Sequence, residues 1–110
     1  MDSEQYEPLT EAVYYLLLAF KNPLHGYGAM QYVEEISHNR VKLGPGTLYG
    51  AIKTLVEKAW IKLVPASKNT RKKEYVLTDI GEEVLRAEMQ RLEELLANGQ
   101  QIMRGDKNDV

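Results

Sequence analysis

The side chains in this sequence whose types and spacing could do chemistry are bases, and the chemistry is neutralisation of a polyanion. Residues 38–75 hold nine of them (Arg40, Lys42, Lys53, Lys58, Lys62, Lys68, Arg71, Lys72, Lys73) against two acids, Glu57 and Glu74, a local charge of +7. Residues 1–37 carry one base and six acids, and residues 76–110 four bases and eight acids, so a chain of formal charge -2 is a basic block between flanks of -5 and -4. Net charge close to zero therefore says nothing against binding a polyanion, because counterion release depends on where the bases sit. A solvated charge run is the alternative, and what lies inside the block decides between them. Gly46, Tyr49, Gly50, Lys53 and Glu57 recur there at helical spacing, bordered by Thr47 and Thr54. Such a stripe is small, aromatic and basic, suited to groove entry and phosphate contact rather than to solvation alone.

Covalent and metal chemistry find no comparable grouping. The chain has no cysteine, which excludes disulfides and thiolate ligands. Ser3 and Ser67 fall in a tail and a loop, Ser37 at a helix end, and the carboxylates on exposed helix faces, so no nucleophile, base and orienting group assemble. His25 and His38 have no second ligand beside them; local hydrogen bonding is expected for His25 and solvent for His38. The glycines of 44–50 lack the Lys-Ser/Thr that follows in a phosphate-binding loop. The expectation is no enzyme, no metal and no cofactor. With 44% hydrophobic residues in 110, the chain suits one small domain. No apolar run reaches the roughly 18 residues of a spanning helix, and Met1-Asp2-Ser3-Glu4 lacks the basic start of a secretory signal.

The elements that must position the basic block follow from periodicity. Leu9, Ala12, Val13, Leu16, Leu17 and Phe20 form one helical stripe behind Thr10 as N-cap, ended by Asn22-Pro23. Tyr14, Tyr15 and Leu18 lie off that stripe, which implies a second buried contact. A second helix starts at His25-Gly26-Tyr27-Gly28 and runs to about Ser37, with Met30, Val33 and Ile36 inward. After a turn at 38–40 and a short extended piece at 41–43, Gly44-Pro45 opens a third helix whose buried stripe is Leu48, Ala51, Ile52, Leu55 and Val56. The period then changes to two, predicting strands from Ile61 to Pro65 and from Lys73 to Leu77 around a polar loop bearing Lys68, Arg71 and Lys72. Trp60 is expected in the core. Thr78 caps a last helix in which Leu85, Met89, Leu92, Leu96 and Met103 follow four-three spacing, interrupted at Gly99, where Asn98-Gly99 is also a possible stop. If helical to Arg104, that segment is about 40 Å long, too long for the body to cover, so a twin helix from a second chain is expected.

Helix, helix, short strand, helix and a two-stranded hairpin with a basic tip is the order of a winged helix-turn-helix: mainly α with a small β-hairpin (α+β), plus a long C-terminal dimerisation helix. The expected divisions are 1–78 for the DNA-binding domain, 79–104 for the dimerisation helix and 105–110 for a disordered tail. Tyr49, Lys53 and Thr54 can reach bases or phosphates, Gly46 and Thr47 stand at the helix start, and Lys68, Arg71, Lys72 and Lys73 supply the wing. For Tyr49 the alternative is packing at the edge of the core.

The stretches H-G-Y-G at 25–28, P-G-T-L-Y-G-A-I at 45–52, L-V-E-K-A-W-I at 55–61 and R-K-K-E-Y-V-L-T-D-I-G at 71–81 resemble the PadR family of bacterial transcriptional regulators, in the family's order. The resemblance implies a homodimeric cytoplasmic repressor of the short, single-C-terminal-helix type, which binds double-stranded DNA at an inverted repeat and is released by an effector. Tyr49 and Lys53 match its recognition-helix positions, and Arg71, Lys72 and Lys73 its wing. Tyr14, Tyr15, Leu18, Leu85, Met89, Leu92 and Leu96 are the candidates for the dimer interface or a pocket for a small aromatic effector; plain dimer packing is the alternative. Ala59 stands where the family generally has glycine, so the turn there is expected to differ slightly. The competing function is a winged-helix protein-interaction module without DNA-binding activity.

Overall fold

In the computed structural model, which describes residues 7–65 and 72–105, the elements run α1 (Glu11–Ala19), β1 (Leu24–His25), α2 (Gly26–Ile36), α3 (Pro45–Glu57), β2 (Ile61–Leu63), β3 (Glu74–Leu77) and α4 (Asp79–Met103). The helix starts follow from capping chemistry. Thr10 Oγ1 accepts the Val13 N–H at 3.1 Å, His25 Nδ1 accepts the Gly28 N–H at 3.2 Å, and Thr78 Oγ1 accepts the Gly81 N–H at 3.0 Å. A threonine cap of this kind contributes about 1 kcal/mol.

Leu16, Leu17 and Phe20 of the first helical segment, Ala29 and Val33 of α2, Leu48, Ile52 and Leu55 of α3, Ile61 of β2, and Val84 and Leu85 of α4 form one buried cluster. The sheet is three-stranded and antiparallel, in the order β1-β3-β2. Ile61 pairs with Leu77 and Leu63 with Tyr75 in the hairpin, while Leu24 and His25 pair with Tyr75 and Glu74. This corrects the sequence reading in two places. The extended piece expected at 41–43 is not a strand, and the third strand is instead Leu24–His25. A two-residue strand has no periodicity of its own; it exists because β3 brings it partners from some fifty residues downstream. The Tyr75 ring meets Phe20 edge-on at 6.0 Å between centroids and ties the hairpin to the α1 end of the core.

Both turns around α3's helix-turn-helix unit use left-handed backbone at residues other than glycine. After α2, His38 (φ 55°) and Asn39 (φ 64°) reverse the chain; the Asn39 N–H reaches Glu34 O at 2.7 Å and the His38 N–H reaches Glu35 O at 3.1 Å. The Ser37 hydroxyl closes the loop by accepting the Val41 N–H at 3.0 Å. After α3, the Trp60 N–H bonds Leu55 O at 3.0 Å and the Ala59 N–H bonds Val56 O at 2.9 Å, the Schellman pattern, with Ala59 at φ 62°. Ala59 thus holds a left-handed conformation that glycine takes more readily, in a turn closed by these two hydrogen bonds. Trp60, expected in the core, is only partly buried and packs against it, with the Lys58 ammonium 4.7 Å from its ring centroid.

The last helix does not stop at Asn98-Gly99. It runs 25 residues to Met103, about 37 Å at 1.5 Å per residue. One interior glycine costs roughly 1 kcal/mol and does not outweigh the helix on either side. In its first turns Gly81, Val84, Leu85 and Glu88 are buried against the body. The same face continues through Leu92, Leu95, Leu96 and Ile102, all exposed. Glu88 is a further correction: of the carboxylates expected on exposed faces, this one is 6% exposed. It accepts the Leu9 N–H at 3.1 Å and takes a two-point contact from Arg91 at 2.7 and 2.8 Å. The Arg91 guanidinium holds its carboxyl below the usual carboxylate range, against the opposing effect of burial and with help from the Leu9 amide.

Candidate nucleic-acid interface

Two elements carry the described residues expected to face a polyanion. On α3, Gly46, Thr47, Tyr49, Gly50, Lys53 and Thr54 are all exposed, while Leu48, Ile52 and Leu55 are buried on the other side. No side chain caps this helix, whose N-cap is Gly44 and whose first residue is Pro45, so its first turn is open to an external acceptor. A Cβ built on Gly44, Gly46 or Gly50 would meet nothing within 4 Å. Nothing inside the protein requires glycine there. Thr54 Oγ1 donates to Gly50 O at 3.2 Å and remains exposed.

Tyr49 is half-exposed and lies over the start of α2. A Cβ on Gly26 would stand 2.8 Å from its ring carbon and 2.9 Å from its hydroxyl, so Gly26 is the seat that lets the ring lie back on α2. One edge of the ring therefore packs, and the rest is exposed. Around it, His25, Gly26, Tyr27, Tyr49, Lys72, Lys73 and Tyr75 line a groove of about 390 Å³ that joins α2, α3 and the base of the wing. His25, Tyr27 and Tyr75 were not among the site residues expected from the sequence, where H-G-Y-G served as a helix start and a family motif; His25 makes the local hydrogen bond expected of it. Lys68 and Arg71 lie outside the described residues.

The +7 block is not a single face. Arg40 pairs with Glu11 at 3.0 Å, an exposed contact of little energetic weight. Lys58 turns to Trp60 beside a separate cleft of about 400 Å³ walled by Leu9, Val13, Leu55 and Trp60. Lys53 is exposed on α3, Lys62 on β2, and Lys72 and Lys73 line the groove with Tyr49.

The residues expected at a dimer contact or effector pocket divide in the same way. Leu85, 6% exposed, belongs to the chain's own core. Tyr14, Tyr15 and Leu18 are partly buried on α1, the two tyrosine rings edge to face at 5.9 Å. Met89, Leu92 and Leu96 are exposed on α4, joined by Leu95 and Ile102, which the four-three spacing did not pick out. Neither cleft described above is lined by Tyr14, Tyr15 or Met89. Among the described residues no group of His, Cys, Asp and Glu is placed to hold a metal, and no helix is long and apolar enough to cross a membrane.

Helix-turn-helix, wing and protruding last helix define a winged-helix protein. Solved structures agree on that fold: a PadR family transcription regulator from Clostridium difficile superposes with a TM-score of 0.65 at 21% identity, over 84% of this chain and 97% of that one. Bacillus subtilis PadR in complex with operator DNA superposes with a TM-score of 0.61 at 28% identity, over 73% of this chain and 46% of that one. Residues 15–87 match the transcriptional regulator PadR-like family, and the chain belongs to that family. An uncharacterized 37.1 kDa protein in transposon TN4556 of Streptomyces fradiae is 39% identical over 66 residues, which is 60% of this chain; the chain spans 18% of that relative's length.

Proposed function

We propose that this chain is a homodimeric, sequence-specific DNA-binding repressor. Two copies of α3 enter major grooves about one turn, roughly 34 Å, apart on an inverted repeat, and the wings rest on the flanking backbone. The observation that carries the reading is the α3 face: an exposed Tyr49 between Gly46 and Gly50, with Lys53 exposed one turn on, and Lys72 and Lys73 lining the groove with Tyr49. The operator complex of the Bacillus subtilis relative supports it. The uncovered apolar face of α4 supports the dimer, since a second α4 is the simplest cover for it. A small aromatic effector that lowers operator affinity completes the reading, with Tyr14, Tyr15 and Met89 as its candidate contacts. A role on DNA goes with a cytoplasmic location. Exposed apolar side chains on the α3 and wing side, Tyr49, Val56 and Leu63, are what the protein-interaction alternative would use; the longer exposed apolar stripe lies on α4.

The test is a mobility-shift titration of the DNA upstream of the chain's own coding sequence, across a salt series. Wild type is expected to bind with a steep negative salt slope. Lys72→Ala combined with Lys73→Ala should weaken binding and reduce the slope by about 2, at roughly 0.9 per lost phosphate contact. No shift at low salt would favour the protein-interaction module, and an unchanged slope in the double variant would remove the wing from the interface.

A further inference from the structure

We infer that Thr78 and Gly81 are positioning residues that set the angle between α4 and α3, and with it the half-site spacing that a dimer accepts; this rests on the DNA-binding dimer proposed above. The start of α4 is joined to the turn that ends α3 by hydrogen bonds to two main-chain carbonyls. The Thr78 hydroxyl donates to Ala59 O at 2.5 Å, and the Thr78 N–H donates to Trp60 O at 3.0 Å. Gly81 lies so close behind them that a Cβ there would collide with the Trp60 carbonyl oxygen and stand 2.9 Å from its carbonyl carbon. Of the glycines in the described body, this is the one whose substitution would drive a side chain into backbone.

The acceptors are themselves rigid with respect to α3. Ala59 and Trp60 are held by the hydrogen bonds to Val56 O and Leu55 O, so their carbonyls move with the last turn of the recognition helix. Recognition helix, turn, Thr78–Gly81 and α4 thus form one continuous frame with no side-chain rotamer in it except that of Thr78, which is β-branched and stiff. Leverage makes the angle matter. With α4 about 37 Å long, a change of about 5° at this joint moves its far end by about 3 Å, close to the rise of one base pair. In a dimer held through the two α4 helices, the same rotation is carried instead by the recognition helices.

Thr78→Asp separates the joint from the cap. Aspartate is a good N-cap and can still accept the Gly81 N–H, but an ionised carboxylate cannot donate to Ala59 O and is repelled by it. Thr78→Ser retains both roles. The probes are duplexes carrying the inverted repeat that the wild-type protein selects from random DNA, with the spacer lengthened or shortened by one and two base pairs. Wild type and Thr78→Ser are expected to lose at least tenfold in affinity at one base pair from the optimum. Thr78→Asp, with unchanged helix content and sedimentation as a dimer, should show a loss of threefold or less there, or an optimum displaced by one base pair. Should Thr78→Asp not fold, Gly81→Ala decides, its added Cβ displacing the optimum. A folded, dimeric variant with the wild-type spacing profile overturns the inference. Failure of the underlying DNA reading appears differently, as a wild type that binds no duplex or binds every spacing equally.

Discussion

Ala59 offers the sharpest quantitative test of the turn that ends the recognition helix. At φ 62° it is a non-glycine residue in left-handed backbone, and its methyl is exposed. For an L-residue that conformation costs about 1–2 kcal/mol relative to the right-handed regions. Ala59→Gly removes the cost and retains both backbone hydrogen bonds of the turn. Against this, glycine gives the unfolded chain more freedom, worth about 0.4–1 kcal/mol. The difference is a net stabilisation of about 0.5–1 kcal/mol. For a chain of this size that is a rise in Tm of about 2–6 °C. The assay is thermal and urea unfolding at matched protein concentration, because dimerisation makes Tm concentration-dependent. The urea midpoint should rise with the m-value unchanged. His38→Gly, at φ 55°, should shift stability in the same direction. If Ala59→Gly lowers Tm, the left-handed assignment or the claim that its methyl packs on nothing is wrong.

Glu88 and the distal α4 give two further predictions. Arg91 depresses the Glu88 pKa from its ordinary 4.5, so this carboxylate's contribution is complete above the unfolded value and is lost as pH falls through the folded one. Acid titration of stability should show that loss in wild type and a flatter profile below pH about 4.5 in Glu88→Gln, which should also cost about 1–2 kcal/mol near neutrality. Leu92→Glu with Leu96→Glu places charge on the exposed α4 stripe without touching the core, and should turn the proposed dimer into a folded monomer at micromolar concentration by sedimentation. A dimer that survives both charges would move the interface off this face.

Much of the fold can be read along the chain because local chemistry writes it there. Thr10, His25, Thr78 and Gly44-Pro45 mark four helix starts through capping or fixed φ, and the periods of Leu48-Ile52-Leu55 and Ile61-Leu63 distinguish helix from strand. Leu24–His25 is different: its strand identity belongs to β3, and no window of sequence contains both. Glu88 is equally unreadable, since a glutamate with an arginine three residues on looks like an exposed helix pair until Leu9 arrives from the other end of the chain. The candidate site shows the same division. Tyr49, Lys53, Lys72 and Lys73 are visible as residue types at a spacing. Their neighbours His25, Tyr27 and Tyr75 enter the groove only because α2 and β3 close around α3.

By itself, then, the sequence determined which segments are helices, which face of α3 is uncovered and that the middle of the chain is basic, because caps, periods and charge act over a few residues. Only the tertiary structure decided which bases share that face and which, like Arg40 and Lys58, are turned elsewhere. It alone separated Leu85 in the core from Leu92 and Leu96 beyond it, since one helical stripe continues past the end of the body that buries its first half. It also held Ala59 in a glycine's conformation, because the hydrogen bonds that close the turn and the approach of Gly81 to Trp60 outweigh one residue's local preference.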